Sequence, residues 1–208
     1  MTIVNSSSDS RTNEIFDSST MRERILAAAI DIAADRGFEA CTVKDVAAAV
    51  GIKAPGLYSH FASKEAIMSE AISRVLTDFA VRVGGPISPT DPEEALRETV
   101  HRHVIYQIEN LRIARVTDLL LNREYTHHFL PQDDLASLLD VQRSYFELVR
   151  DRVVAFAPEP PGATATVATM AIIGMCDRVA TWYKPEGRLS PDQVAEQHWQ
   201  MVRHLLGA

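Results

Sequence analysis

Between Thr42 and Lys64 the ionised residues are Lys44, Asp45, Lys53 and Lys64, a local charge of +2 inside a chain whose formal net charge is −7. That sign suits a phosphate backbone, which is held by lysine and arginine cations. The acidity of the whole chain excludes a general cationic coat, so a nucleic-acid contact has to rest on this patch. Catalytic groups are harder to find. The chain has no G-x-S-x-G elbow, no phosphate-binding G-x-x-x-x-G-K and no G-x-G-x-x-G after a strand. His101 and His103 stand two apart on an expected helix and face different ways, while His127 and His128 adjoin a loop, so no metal site is expected. Cys41 and Cys176 lie 135 residues apart without a CxxC pair, which argues against a disulfide framework. Cys176 sits in an apolar run and reads as a buried, inert thiol.

The elements that must position the basic patch follow from caps and periodicity. Residues 1–19 form a polar arm, expected to be flexible, without the apolar core of a secretory signal, and a cytoplasmic location is expected. Thr20-Met-Arg-Glu23 has the form of a capping box, so a helix starts at Met21, carries Ile25, Ala28, Ala29, Ile32 and Ala33 on one face, and stops at Gly37 with a left-handed cap. Thr42 with Asp45 caps a two-turn helix that ends at Gly51. Lys53 to Phe61 forms another short helix, with Pro55 tolerated in its first turn. Ser63 caps a longer helix that runs to Gly84. Two short helices about a glycine turn, behind a supporting helix, have the pattern of a helix-turn-helix. Val43, Val46, Ala47, Val50, Ile52 and Leu57 supply its small apolar interior.

Further helices are expected at about 92–110, 112–124, 133–156, 164–183 and 191–206, punctuated by prolines. The strand signal is nil, so the fold class is all-α. At 208 residues, 46% hydrophobic and 24% charged, the chain can bury a core without staples. The proline- and glycine-rich segment 84–92 is the natural boundary, giving a DNA-binding domain with its linking helix at 20–83 and a regulatory domain at 84–208. Val167 to Cys176 is only ten residues long, against about 20 needed to span a bilayer, and no membrane partner is expected.

The run Thr42-Val-Lys-Asp-Val-Ala-Ala-Ala-Val-Gly-Ile-Lys-Ala-Pro-Gly-Leu-Tyr-Ser-His-Phe-Ala-Ser-Lys-Glu65, preceded by Arg36-Gly-Phe38, resembles the TetR-type transcriptional repressors over roughly residues 21–70. The resemblance implies that Lys53, Ala54, Pro55 and Gly56 open a recognition helix in the major groove of double-stranded DNA. It implies that Tyr58, His60 and Lys64 hold phosphates, with Thr42 and Lys44 flanking the same surface. Where the family often has Ser or Thr, this chain has Lys53, so the recognition helix loses a hydroxyl cap worth about 0.5 to 2 kcal/mol. Arg22 and Arg24, at the start of the first helix, are candidates for further phosphate contacts.

The second half is expected to bind ligand and to dimerise. Helices 164–183 and 191–206 carry more apolar positions than one chain can cover, which predicts a homodimer through them. The remaining helices would enclose a pocket lined by Ile105, Ile108, Leu119, Leu120, Tyr145, Phe146 and Val149, with Met170, Ile173 and Trp182 from the next helix. Arg112, Arg115, Arg123 and Arg143 are candidates for an anionic ligand group. Thr181-Trp-Tyr-Lys-Pro-Glu-Gly-Arg-Leu-Ser-Pro-Asp-Gln-Val-Ala195 resembles a TetR-type subgroup that responds to acyl-CoA thioesters, which implies an acyl-CoA or another large apolar acid as effector. No cofactor is expected, and the protein is expected not to be an enzyme. The alternative is a small helical acyl-binding protein or enzyme without specific DNA binding.

Overall fold

The computed structural model describes residues 15–88, 90–120 and 132–208, with the side chains of 118–120 and 132–134 outside the description. Every regular element among them is an α-helix: α1 (Met21–Arg36), α2 (Val43–Ala49), α3 (Ala54–Leu57), α4 (Lys64–Arg82), α5 (Pro92–Glu109), α6 (Leu111–Leu120), α7 (Gln132–Phe156), α8 (Ala165–Asp177), α9 (Val179–Trp182) and α10 (Pro191–Leu206). Two compact units form. The first runs to Asp78 and takes in Asn110–Leu138; the second comprises Phe79–Glu109 and Leu139–Ala208. The partition falls within α4, and α6 joins the first unit by packing on α1.

In the first unit Thr20 caps α1 by accepting the Glu23 N–H at 3.2 Å. Only half of the expected capping box forms, because the Glu23 carboxylate turns to Arg74 on α4. Gly37 has the expected positive φ of 80°, but its ψ of 160° sends the chain out extended instead of into a left-handed cap. Thr42 caps α2 as expected, accepting the Asp45 N–H at 3.1 Å and donating its hydroxyl to Asp45 Oδ2 at 2.5 Å. At Gly51 φ is 78°, a region that L side chains enter at a cost, so the turn between α2 and α3 needs this glycine. Leu26, Ile30, Val46, Leu57, Ile67 and Ile72 close the core of the helix-turn-helix. Each is fully buried, and burial of such a side chain contributes about 1.5 to 3 kcal/mol.

In the second unit α5 is the hub on which α8, α9 and α10 pack. Leu96, Val100, Val104, Ile172, Val179, Val194 and Val202 are buried there. Ser190 and Gln193 form the complete capping box expected at the start of α10. Arg97–Glu196 at 2.8 Å and Arg203–Glu93 at 3.3 Å orient α10 along α5, each such exposed pair contributing about 0 to 1 kcal/mol. The run expected as one helix over 164–183 breaks at Arg178. Its carbonyl accepts both the N–H of Thr181 at 3.0 Å and that residue's hydroxyl at 2.7 Å, which tightens the chain and splits α8 from α9. The helix expected over 112–124 is seen to Leu120, and the rest lies outside the described residues.

Candidate nucleic-acid interface

Lys53 ends an extended stretch, with φ −84° and ψ 151°, and its side chain makes no capping bond to α3. The missing hydroxyl cap is therefore not replaced. α3 itself is a single turn, and the helix expected to reach Phe61 continues past Leu57 only as hydrogen-bonded turns, His60 N–H to Leu57 O at 2.9 Å and Phe61 N–H to Leu57 O at 3.1 Å. The segment turns one residue inward, Leu57, which is fully buried. Lys53, Pro55, Gly56 and Tyr58 are exposed, Tyr58 at 55%, while Ala54 is half-buried. Thr42 and Lys44 are exposed at the start of α2. These residues are thus left open to solvent around α2 and α3, which pack on each other.

Two expected contributors are engaged elsewhere. The Lys64 ammonium donates to the Phe38 carbonyl at 3.2 Å and lies 4.1 Å from the centre of the Phe38 ring. His60 is half-buried, and its carbonyl accepts from Arg22. Arg22 also grips Glu70, and Arg24 donates to the Val50 carbonyl at 3.0 Å. Both arginines hold the helix-turn-helix together from behind. Arg112 is bound to Asp31 and Asp35 at 3.3 and 3.0 Å, which accounts for one of the candidate anion binders. Arg143 is paired with Asp140 at 3.5 Å, and Arg123 lies outside the described residues.

The second unit holds a half-buried polar cluster that the sequence reading missed. His103 Nδ1 lies 2.9 Å from the Tyr145 hydroxyl and Nε2 lies 2.9 Å from Asp177 Oδ1, with Gln107 donating to the same oxygen at 3.1 Å. Burial, with Cys176 and Asp177 adjoining, pushes the Tyr145 phenol well above its ordinary pKa, so it stays protonated and is able to donate to Nδ1. In the tautomer where Nδ1 accepts that bond, the Nε2 proton faces Asp177 Oδ1. Phe79 meets the rings of His103, Tyr106 and Tyr145 edge-on at 5.0, 5.2 and 4.8 Å. The signal available in the sequence was His103 and Gln107 four apart beside Val100 and Val104 on one helical face. Burial pushes the neighbouring Cys176 thiol up as well, in line with the inert thiol expected there.

Of the expected pocket residues, Ile108, Tyr145 and Val149 are buried and Ile105, Phe146 and Ile173 half-buried, all in the second unit. Met170 and Trp182 are instead surface side chains, 62% and 49% exposed. The inward face of α8 belongs to Ala168, Thr169, Ile172 and Cys176, which leaves position 170 pointing away. The side chains of Leu119 and Leu120 lie outside the described residues. Among the described residues no cluster of potential metal ligands forms, and no helix is long and apolar enough to cross a membrane.

Residues 25–71 match the family described as bacterial regulatory proteins, tetR family, and residues 89–206 match the tetracyclin repressor-like C-terminal domain. The chain belongs to the tetR family. The HTH-type transcriptional repressor KstR2 of Mycolicibacterium smegmatis is 31% identical to it over 198 residues, covering 87% of this chain and 88% of that one. Two solved structures share the fold. A tetR-family regulatory protein from Rhodococcus RHA1 superposes with a TM-score of 0.78 at 23% identity, covering 91% of this chain and 98% of its own. AibR, solved in complex with isovaleryl coenzyme A and operator DNA, superposes with a TM-score of 0.70 at 23% identity, covering 89% and 97%.

On this tetR-family chain the exposed apolar residues concentrate on the last helices. Val167, Met170, Ala171 and Gly174 follow one another at helical spacing along the outer face of α8, and Met201 and Leu205 lie on that of α10. Trp182 stacks on His198, the ring centres 6.1 Å apart and the planes within 6°. His198 is buried, and burial lowers its pKa from 6.5 despite bonds to the backbone at Val194 and Met175. Because the unfolded chain takes up this proton first, stability should fall as pH drops below about 6.5, until the folded state is protonated too. Thermal melts followed by circular dichroism between about pH 5 and 7 should show a shallower pH slope for His198→Gln than for the parent protein. Equal slopes would remove His198 as the source.

Proposed function

We propose that this protein is a dimeric operator-binding repressor released by an apolar acid of the acyl-CoA class. The observation that carries the DNA half is the exposed segment Lys53 to Tyr58, presented by a turn whose buried side chain is Leu57. In this reading Lys53, Ala54, Pro55 and Gly56 face base edges, while Thr42, Lys44 and Tyr58 hold phosphates. Lys64 adds positive potential and His60 backbone support, with direct contact secondary. The KstR2 repressors support the regulatory role. The domain working on DNA is 20–83 and the regulatory domain 84–208, acting in the cytosol by binding and without catalysis.

The apolar faces of α8 and α10 support the dimer. Small residues at 171 and 174 let a second copy approach closely, and pairing through these helices sets two recognition segments about 34 to 36 Å apart, one turn of B-DNA. The ligand half rests on the apolar residues about Tyr145 in the second unit and on the acyl-CoA ligand of AibR. An effector that prefers one conformation of that unit shifts the dimer away from operator spacing by its differential affinity. α4 contributes residues to both units and is the element through which the shift passes.

The test is titration of the protein with DNA from upstream of its own coding region at several salt concentrations, with and without a mixed acyl-CoA pool. Specific binding whose log K falls by about 0.9 per phosphate neutralised for each tenfold rise in salt, and which the pool releases, is the expected result. Specific binding without release removes the effector class, and binding no tighter than to random DNA removes the repressor.

A further inference from the structure

The recognition segment has little stability of its own. α3 is one turn long, its N-cap makes no side-chain bond, and Gly56 lies inside it, where glycine costs about 1 kcal/mol relative to alanine. Its orientation must therefore be imposed from behind. Leu57 and Phe61 are buried and give it a footing. The backbone on either side is fixed by two arginines of α1. Arg24 takes the carbonyl of Val50, just before the glycine turn, and Arg22 takes the carbonyl of His60, just after α3, at 2.6 Å.

Arg22 does three things at once. Its guanidinium lies 4.1 Å over the centre of the Phe61 ring, donates to His60 O, and engages both carboxylate oxygens of Glu70 on α4. Glu70 is held in turn by Arg74 at 2.8 Å, and Arg74 closes the circuit on Glu23 of α1. Burial pushes the Glu70 carboxyl up, but the two arginines outweigh it and hold it below its ordinary range, so it is ionised at neutral pH. A planar fork that meets a carboxylate, a carbonyl and a ring together is a geometry that lysine cannot copy.

We propose that Arg22 is a positioning residue for operator reading, which joins the end of the recognition segment to α4 without touching DNA. The inference rests on the reading of the protein as an operator-binding regulator. It places Glu70 and Arg22 in one brace, so that removing either partner has the same effect on sequence discrimination despite opposite changes in charge.

That sign difference makes the test. Affinities are measured by fluorescence anisotropy for the operator-containing fragment and for a random duplex of equal length, at several salt concentrations, on the parent, Arg22→Ala, Arg22→Lys and Glu70→Gln proteins. Glu70→Gln removes an anion, so simple attraction to phosphate would tighten binding. The brace instead predicts that Glu70→Gln weakens operator binding about tenfold while binding to random duplex is kept or tightened. Arg22→Lys, which retains the charge, is expected to lose operator affinity by a similar factor with an unchanged salt slope. Operator binding by Glu70→Gln as tight as the parent's, or parental affinity in Arg22→Lys with a salt slope reduced by about one phosphate in Arg22→Ala, would overturn the inference in favour of a phosphate contact. An equal loss on both DNAs, as partial unfolding produces, also overturns it. A parent protein that shows no preference over random duplex overturns the repressor reading and this inference with it.

Discussion

Met170→Glu is expected to convert the protein to a monomer and to weaken operator binding by about 10² to 10⁴, the range that linking two binding modules supplies. Met170 is 62% exposed at the middle of the outer stripe of α8, between Val167 and Gly174. In a paired interface that position is covered, and a carboxylate there has no cation among the stripe residues to meet it, so its burial costs several kcal/mol. The folded chain itself loses nothing, because the side chain touches water in the single subunit. Circular dichroism should therefore be unchanged while sedimentation shows half the mass. Met170→Leu fills a similar volume and should keep both the dimer and the affinity. A Met170→Glu protein that sediments like the parent would exclude α8 as the contact.

The helix-turn-helix was legible because its determinants are local. Thr20, Thr42 and Ser63 cap the helices that the sequence placed after them, through bonds to N–H groups three residues on. Gly51 adopts the positive φ that its position between two short helices required. What failed were choices between a near partner and a distant one. Glu23 was expected to reach back to its own helix start, yet Arg74, 51 residues on, offers a full charge where the cap offers a partial one. Arg22 has a phosphate contact and a carboxylate contact written equally in its type, and only the fold brings Glu70 beside it. The same holds for Met170 and Trp182. Their apolar character is visible, but which way they face depends on which stripes of α8 and α9 the hub helix α5 takes, and Ala168, Ile172 and Cys176 on α8 with Val179 and Ala180 on α9 take the inward ones.

His103→Ala is expected to cost the second unit about 2 to 4 kcal/mol, from the cavity it leaves and from the buried phenol it orphans. His103 is 2% exposed, and its two ring nitrogens are the meeting point of α5, α7 and α8 through Tyr145 and Asp177. Tyr145→Phe alone leaves Nδ1 without its hydroxyl partner and should cost about 1 to 3 kcal/mol. In the His103→Ala background the same change should be neutral or favourable, since the hydroxyl has already lost its partner. This non-additivity, read from denaturant midpoints in a double-mutant cycle, distinguishes a coupled network from two independent packing residues. Additive costs would count against the network. Its bonds close only when three helices stand in one arrangement, whereas an apolar contact tolerates small slides. A unit that must hold two distinct states for a regulator gains from such a contact, because displacement of α7 or α8 breaks the whole set and not part of it. Hydrogen exchange in Tyr145→Phe should accordingly speed up together in α5, α7 and α8, and acceleration confined to α7 would show that the three helices are not coupled through His103.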